Sequence, residues 1–344
     1  MLNSSTDKLV RVLAIITMLL VIFASLKAAS ALVVPLILSL FFAIVLNPLI
    51  RLAERIRVPR VLAILLLMSC FVVIMLLLVA ALSSTLNEFA RTLPQYRSML
   101  TQPLLDTRAL LLTMGINISL DEMMHYIDPS IAVRLVSGAV GYFSNAMTAM
   151  FLLIMTVAFM LLEVPSLKQK GPLLFPVPSR AMAAIRHGLR SVTHYLVLKT
   201  VISLITGLTV WLMLWAMDIK FAFLWGTLAF ALNYIPNIGS IIAAIPPIIQ
   251  ALLFNGLYPG LGVIAFYLAI NLLFGNILEP RLMGRSLNLS TLVVFISLLF
   301  WGWLLGPVGM ILSVPLTVVV KLLLEQLDDG KKLAILLSDN PQQH

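Results

Sequence analysis

The chain has 344 residues, of which 61% are hydrophobic and only 11% charged, with a net charge of +9 and one cysteine. A single soluble core cannot hide that much apolar surface. The basic excess comes without a nucleic-acid-binding motif, which excludes a nucleic-acid partner and leaves membrane topology and contact with anionic lipid.

Six apolar runs, at 9–26, 32–49, 61–82, 142–162, 196–217 and 261–278, have about the ~20 residues that a helix needs to cross a ~30 Å hydrocarbon core. The first is not read as a cleaved signal, because it is long and a second run follows Lys27 without a convincing cleavage site. Asn47, beside Pro48, is a polar interruption of the second run. The loop after it holds Arg51, Arg55, Arg57 and Arg60 against Glu54, and short loops this basic stay on the cytoplasmic side. Strict alternation from that loop places both termini in the cytoplasm. It puts 17 of the 23 Lys and Arg inside with 8 of the 14 acids, and six of each outside. Cys70 falls within the third run and reads as a small apolar filler.

Residues 85–141 are mixed in charge and punctuated by Pro94, Pro103, Gly115 and Pro129, which predicts a small external helical subdomain. Ser119 and Glu122 have capping-box spacing, and Asp128 before Pro129 marks a helix start. Residues 163–195 then predict a cytoplasmic loop followed by an amphipathic basic helix from Ser179, lying at the inner interface. Met182, Ile185, Leu189, Val192 and Leu196 form its apolar face, with His187, Arg190 and His194 on another. The two histidines are two turns apart, too far for an adjacent-turn metal pair, and no metal or cofactor is expected.

Two longer apolar stretches are interrupted at their centres. Residues 221–254 break around Pro236, Asn237 and Gly239, and residues 291–324 around Gly302, Gly306, Pro307 and Gly309. Each predicts a broken helical hairpin with a hinge at its tip. By alternation the first begins and ends outside and the second inside. At an offset of 70 positions, Leu228, Phe230 and Gly239 meet Leu298, Phe300 and Gly309. Paired interrupted segments of opposed topology point to a transporter's midplane site, because unwound backbone at depth needs protein or water beside it. The expected fold is therefore all-α and polytopic, with about 8 membrane segments by these lengths. Its regions are N-terminal helices (1–84), the external subdomain (85–141), a helix (142–162), the cytoplasmic loop and helix (163–195), a transporter core (196–324) and a cytoplasmic tail (325–344).

Polar groups inside the apolar runs are few. Asn47, Asn233, Asn237, Gln250, Asn271 and Asn276 are neutral, and Glu163 and Glu279 read as membrane-level carboxylates. A charge at a helix centre costs roughly +2.5 to +3.5 kcal/mol. Amides that both donate and accept suit an uncharged hydroxylated solute, and these six mark a candidate pathway; capping and joining helices is the structural alternative. Glu279 and Arg281 flank Pro280, and the two side chains can meet if the helix ends there, as an ionic latch or a protonation site; anchoring at the interface would also put charges there. Glu163 is the second candidate for coupling or gating. No His-Glu-x-x-His or Gly-x-Ser-x-Gly motif occurs and no Asp lies within an apolar run, which argues against an intramembrane enzyme.

Glu279-Pro280-Arg281-Leu282-Met283-Gly284, Pro236-Asn237-Ile238-Gly239, and Gly306-Pro307-Val308-Gly309 followed by Pro315 resemble the motifs of the autoinducer-2 exporter family of bacterial inner-membrane proteins. Asn47-Pro48-Leu49 and Leu93-Pro94-Gln95-Tyr96-Arg97 extend the resemblance over nearly the whole chain. The resemblance implies a multi-pass helical homo-oligomer, a pentamer, exporting the neutral quorum-sensing signal autoinducer-2 and so affecting biofilm formation and motility. Other members of the family resemble sodium or lithium/proton antiporters, so cation exchange stays open, as does a non-transporting regulator of signal uptake.

Overall fold

A computed structural model describes residues 3–113, 150–166, 169–170, 179–236, 238–283, 289–325 and 330–338, and among these no strand occurs. In chain order the helices are α1 (Asn3–Ala28), α2 (Ser30–Arg55), α3 (Arg60–Thr113), α4 (Met150–Ser166), α5 (Ser179–Ala216), α6 (Ala222–Leu232), α7 (Gly239–Gln250), α8 (Leu257–Ile270), α9 (Glu279–Met283), α10 (Thr291–Ile311), α11 (Ser313–Glu325) and α12 (Lys331–Leu337). Two π-helical stretches, Ala251–Asn255 and Asn271–Leu278, continue α7 and α8. Among the described residues five segments are long and apolar enough to cross a membrane: Ser30–Arg55, Arg60–Thr85, Gly188–Ala216, Leu257–Leu282 and Thr291–Ile311. The first four overlap four of the six predicted runs.

Several boundaries differ from those the sequence suggested. Ala29 alone separates α1 from α2, with φ −84° and ψ 5°, so the chain bends there. The reversal that crossings at 9–26 and 32–49 require is not made by this one near-helical residue. α3 continues past residue 82 to Thr113, merging the expected third span with the start of the expected external subdomain. The helix that begins at Ser179 likewise runs unbroken into the expected span at 196–217. Residues 179–216 contain no proline and are rich in Leu, with Ala at the start, so nothing in the local chemistry stops the helix where lipid begins. Leu189, placed on the apolar face, is exposed, whereas Val192 and Leu196 are buried. The Ser119–Glu122 and Asp128–Pro129 signals lie outside the described residues.

The chain divides into two compact units, to both of which α3 and α5 contribute. Residues 1–64, 152–198 and 283–344 form one. Within it α1 and α10 run side by side in the same direction: Phe23 packs edge-on against Phe300 at 5.1 Å, and a turn further on the Lys27 ammonium sits 4.2 Å from the Trp303 ring. α2 and α4 also run parallel. The Ser39 hydroxyl reaches the Leu153 carbonyl at 3.5 Å, and Arg60, just after α2, donates to the Leu161 carbonyl at 2.8 Å and to Glu54 at 2.8 Å.

Residues 65–151 and 199–282 form the other unit. Its core gathers Val210, Leu214, Trp225, Ala229, Ala243, Val263 and Tyr267 from α5, α6, α7 and α8. α5 and α6 cross at a glycine pair: a Cβ on Gly207 would lie 2.8 Å from the Gly226 carbonyl oxygen, and one on Gly226 would lie 2.9 Å from that of Gly207. Only hydrogen fits between these backbones, which lets the two helices approach closely.

Candidate functional site

The long stretch 221–254 is two helices, α6 and α7, joined by a turn at 233–238 and packed on each other. Stretch 291–324 is also two packed helices, α10 and α11. α10 is broken within its length at Gly306, whose φ 68° and ψ −152° belong to a region open essentially to glycine. Pro307 follows the break, while Gly302 lies on the helical arm before it, against Met310. The two turns share one device. A Cβ on Gly239 would collide with the Leu232 carbonyl and the Ile235 side chain, and one on Gly309 would collide with the Trp301 carbonyl and the Leu305 side chain. Gly239 opens α7 and Gly309 follows the Gly306 break within α10, and each lets the backbone fold flat onto the end of the arm before it.

The turn between α6 and α7 is the polar centre of its unit. Asn233 donates to the Ser203 hydroxyl of α5 at 3.0 Å, and the Tyr234 hydroxyl is hydrogen-bonded to Thr200, about one turn earlier on α5. On the other side of the turn, Ser240 donates to Asn271 at 3.0 Å. Asn271 stands close to the middle of Leu257–Leu282, where the helix passes from α to π. Pro236 lies in the turn itself, and Asn237 falls outside the described residues.

One turn before Ser203 on α5, the Lys199 ammonium meets the Glu279 carboxylate at 2.6 Å. Lys199 is 3% exposed. Glu279 is therefore paired, but with Lys199 and not with Arg281. The helix does not end at Pro280: α9 continues through it to Met283, and residues two apart on a helix do not face each other. Arg281 is exposed. The π-turns just before Pro280 widen the helix where the proline ring would otherwise strike the carbonyl of residue 276. Lys199 was missed in the sequence because it sits at the edge of a run and reads as an interfacial anchor; its partner is 80 positions away. Lys321, 5% exposed and 3.9 Å from Glu325, was passed over in the same way.

The other candidates have plainer surroundings. Gln250 is buried and fully engaged, accepting from the Trp225 indole at 2.7 Å and donating to the Lys220 carbonyl at 2.9 Å, so it ties the start of α6 to the end of α7. Glu163 is exposed and bridges to Lys170 at 3.1 Å, the kind of surface pair worth ~0–1 kcal/mol. Asn276 is exposed on the π-helix. The amide oxygen of Asn47 is buried without a partner, and among the described residues the Tyr267 hydroxyl shares that condition. Each such group costs about 1–3 kcal/mol. At the Gly306 break a separate open groove of about 540 Å³ is lined by Lys27, Ser30, Pro35, Trp303 and Gly306. Among the described residues no group of His, Cys, Asp and Glu could hold a metal ion.

Apolar helices of spanning length, broken helix pairs and a neutral polar cluster halfway along a spanning helix define a multi-pass membrane transport protein. The profile described as AI-2E family transporter matches residues 16–329, and the chain belongs to that family. It is 57% identical to the AI-2 transport protein TqsA of Escherichia coli, over 96% of each chain. The E. coli protein YhhT is 46% identical over 93% of this chain and 91% of its own. A Haemophilus influenzae protein is 45% identical over 96% of each. The names of the last two assign them to transport provisionally and give no solute.

Proposed function

We propose that this protein moves autoinducer-2, a small uncharged hydroxylated signal, outward across the bacterial inner membrane. The observation that carries the reading is the hydrogen-bonded cradle of the α6–α7 turn, in which Ser203–Asn233 and Ser240–Asn271 meet near the middle of a spanning helix. All four groups are neutral, and the one buried cation beside them, Lys199, is compensated by Glu279. Such a site offers donors and acceptors to an uncharged solute and no net charge to an anion. The 57% identity to a protein named for AI-2 transport supports the same solute.

The α6 and α7 arms, of 11 and 12 residues, are about 17–18 Å long at 1.5 Å per residue, half a membrane. This supports a re-entrant pair whose turn lies near mid-depth. Residues 291–305 reach about 22 Å before Gly306. Alternation from the Arg-rich loop has the second pair entering from the cytoplasmic face, opposite to the first. The Lys199–Glu279 pair, which ties α5 to the start of α9, serves as the coupling or gating element. The functional assembly is a homo-oligomer, a pentamer by family resemblance, and loss of the protein alters biofilm formation and motility through retained signal.

The deciding experiment is autoinducer-2 flux in proteoliposomes holding this protein alone, with and without an imposed pH gradient. Flux should follow the gradient, and Glu279→Gln should abolish that dependence while leaving insertion intact. Flux indifferent to the gradient removes the coupling role of Glu279. Sodium-driven collapse of the gradient with no signal flux identifies the cation-exchange reading instead, and silence in both assays identifies a regulator.

A further inference from the structure

The orphan hydroxyl of Tyr267 is the feature that the hydrogen-bonded cradle leaves unused. Its residue is 7% exposed within the core of its unit, and its oxygen has no partner there. Phenylalanine would fill the same volume without the penalty of a buried unsatisfied group, so packing does not account for the oxygen. Asn271 follows one helical turn later on the same face. Its amide oxygen is taken by Ser240, and its Nδ2 makes no hydrogen bond to a described residue. The helix changes from α to π at this point, a deviation that recurs at ligand sites because it widens the turn.

We propose that the Tyr267 hydroxyl and the Asn271 amide nitrogen are solute ligands, with Ser240 fixing the Asn271 amide so that its donors face the solute. The phenol both donates and accepts, the amide nitrogen donates, and neither carries charge. The class of ligand is thus a small uncharged molecule bearing carbonyl or hydroxyl oxygens. The inference rests on the transport reading and adds to it the residue that would recognise the solute.

Tyr267→Phe tests it, because the change removes one oxygen and no volume. Autoinducer-2 flux in proteoliposomes should show KM raised roughly three- to tenfold with insertion unchanged, the worth of one hydrogen bond. Thermal unfolding of the ligand-free variant should occur at or above the wild-type temperature, and the rise produced by added autoinducer-2 should shrink. Wild-type KM and a wild-type rise in the variant overturn the inference while the transport reading stands. If autoinducer-2 neither crosses nor stabilises the wild type, the solute reading fails. The same thermal measurement with glycerol, ribose and ribitol then decides the site: stabilisation of wild type but not of Tyr267→Phe supports it, and no difference between them overturns it. A variant that fails to insert shows that the hydroxyl serves the fold, which also overturns the proposal.

Discussion

Lys199 and Glu279 illustrate how a buried charge is tolerated. Each alone would be costly in the protein interior, and together they form one neutral, strongly hydrogen-bonded unit at 2.6 Å. Removing one partner leaves the other buried and uncompensated, while neutralising both leaves no buried charge. Lys199→Met should therefore destabilise the protein by about 3–5 kcal/mol. Lys199→Met combined with Glu279→Gln should recover most of that loss. Denaturant unfolding of the purified single and double variants in detergent measures the pair, and additive losses would show that the two residues act independently. Gln250 offers the contrast: an amide that sequence reading ranks as a pathway residue spends its oxygen and nitrogen on Trp225 and Lys220.

The broken helix pairs are set by where backbone can pack on backbone. Gly239 at the start of α7 and Gly309 just past the Gly306 break each sit on a carbonyl of the arm before them, and the two glycines coincide at the offset of 70 positions. Gly306 has a different task, since a Cβ there would meet nothing within 4 Å and its constraint is conformational. Gly306→Ala should cost about 1–3 kcal/mol through backbone strain alone. Gly262, inside α8, provides the control: a Cβ there would approach the mobile end of Met217. Gly262→Ala should be neutral or stabilising by up to ~1 kcal/mol, the helix-propensity gain. Thermal unfolding of the two variants side by side checks the difference, and equal effects would contradict the assigned conformation of Gly306.

Across the whole molecule, the exposed Leu, Ile and Val side chains along α1, α2, α3 and α5, with exposed Leu on α8, are the surface that lipid must cover. With Arg51, Arg55, Arg57 and Arg60 in the cytoplasm, strict alternation predicts Lys27 outside and the N-terminus inside. On a Cys70→Ser background, Lys27→Cys should react with an impermeant maleimide in intact spheroplasts, whereas Ser4→Cys and Arg55→Cys should react only after lysis. Labelling of Ser4→Cys in intact cells would mean that α1 and α2 do not cross as a pair, in keeping with the single near-helical residue between them.

The membrane class, the all-helical fold, four of the long spans and the places where two of the apolar stretches break were legible in the chain, because each is local. Hydropathy over about 20 residues, a Pro or Gly between two apolar arms, and Arg in a short loop all act within a few turns of helix. The start of α5 at Ser179 was readable for the same reason. Its end, the continuation of α3 to Thr113 and the bend at Ala29 were not, because helix formers carry no mark of where lipid gives way to water. Pairing was decided by tertiary structure alone. Glu279 looked to Arg281 two positions away, yet helix geometry turns those side chains apart and packing brings Lys199 to it from 80 positions back. Asn233 and Asn271 appeared as scattered amides, and Ser240 carried no signal, until α6 and α7 folded onto each other and carried the turn between α5 and α8. The uncompensated hydroxyl of Tyr267 had no signal in the sequence at all, since a buried tyrosine with a partner and one without read identically.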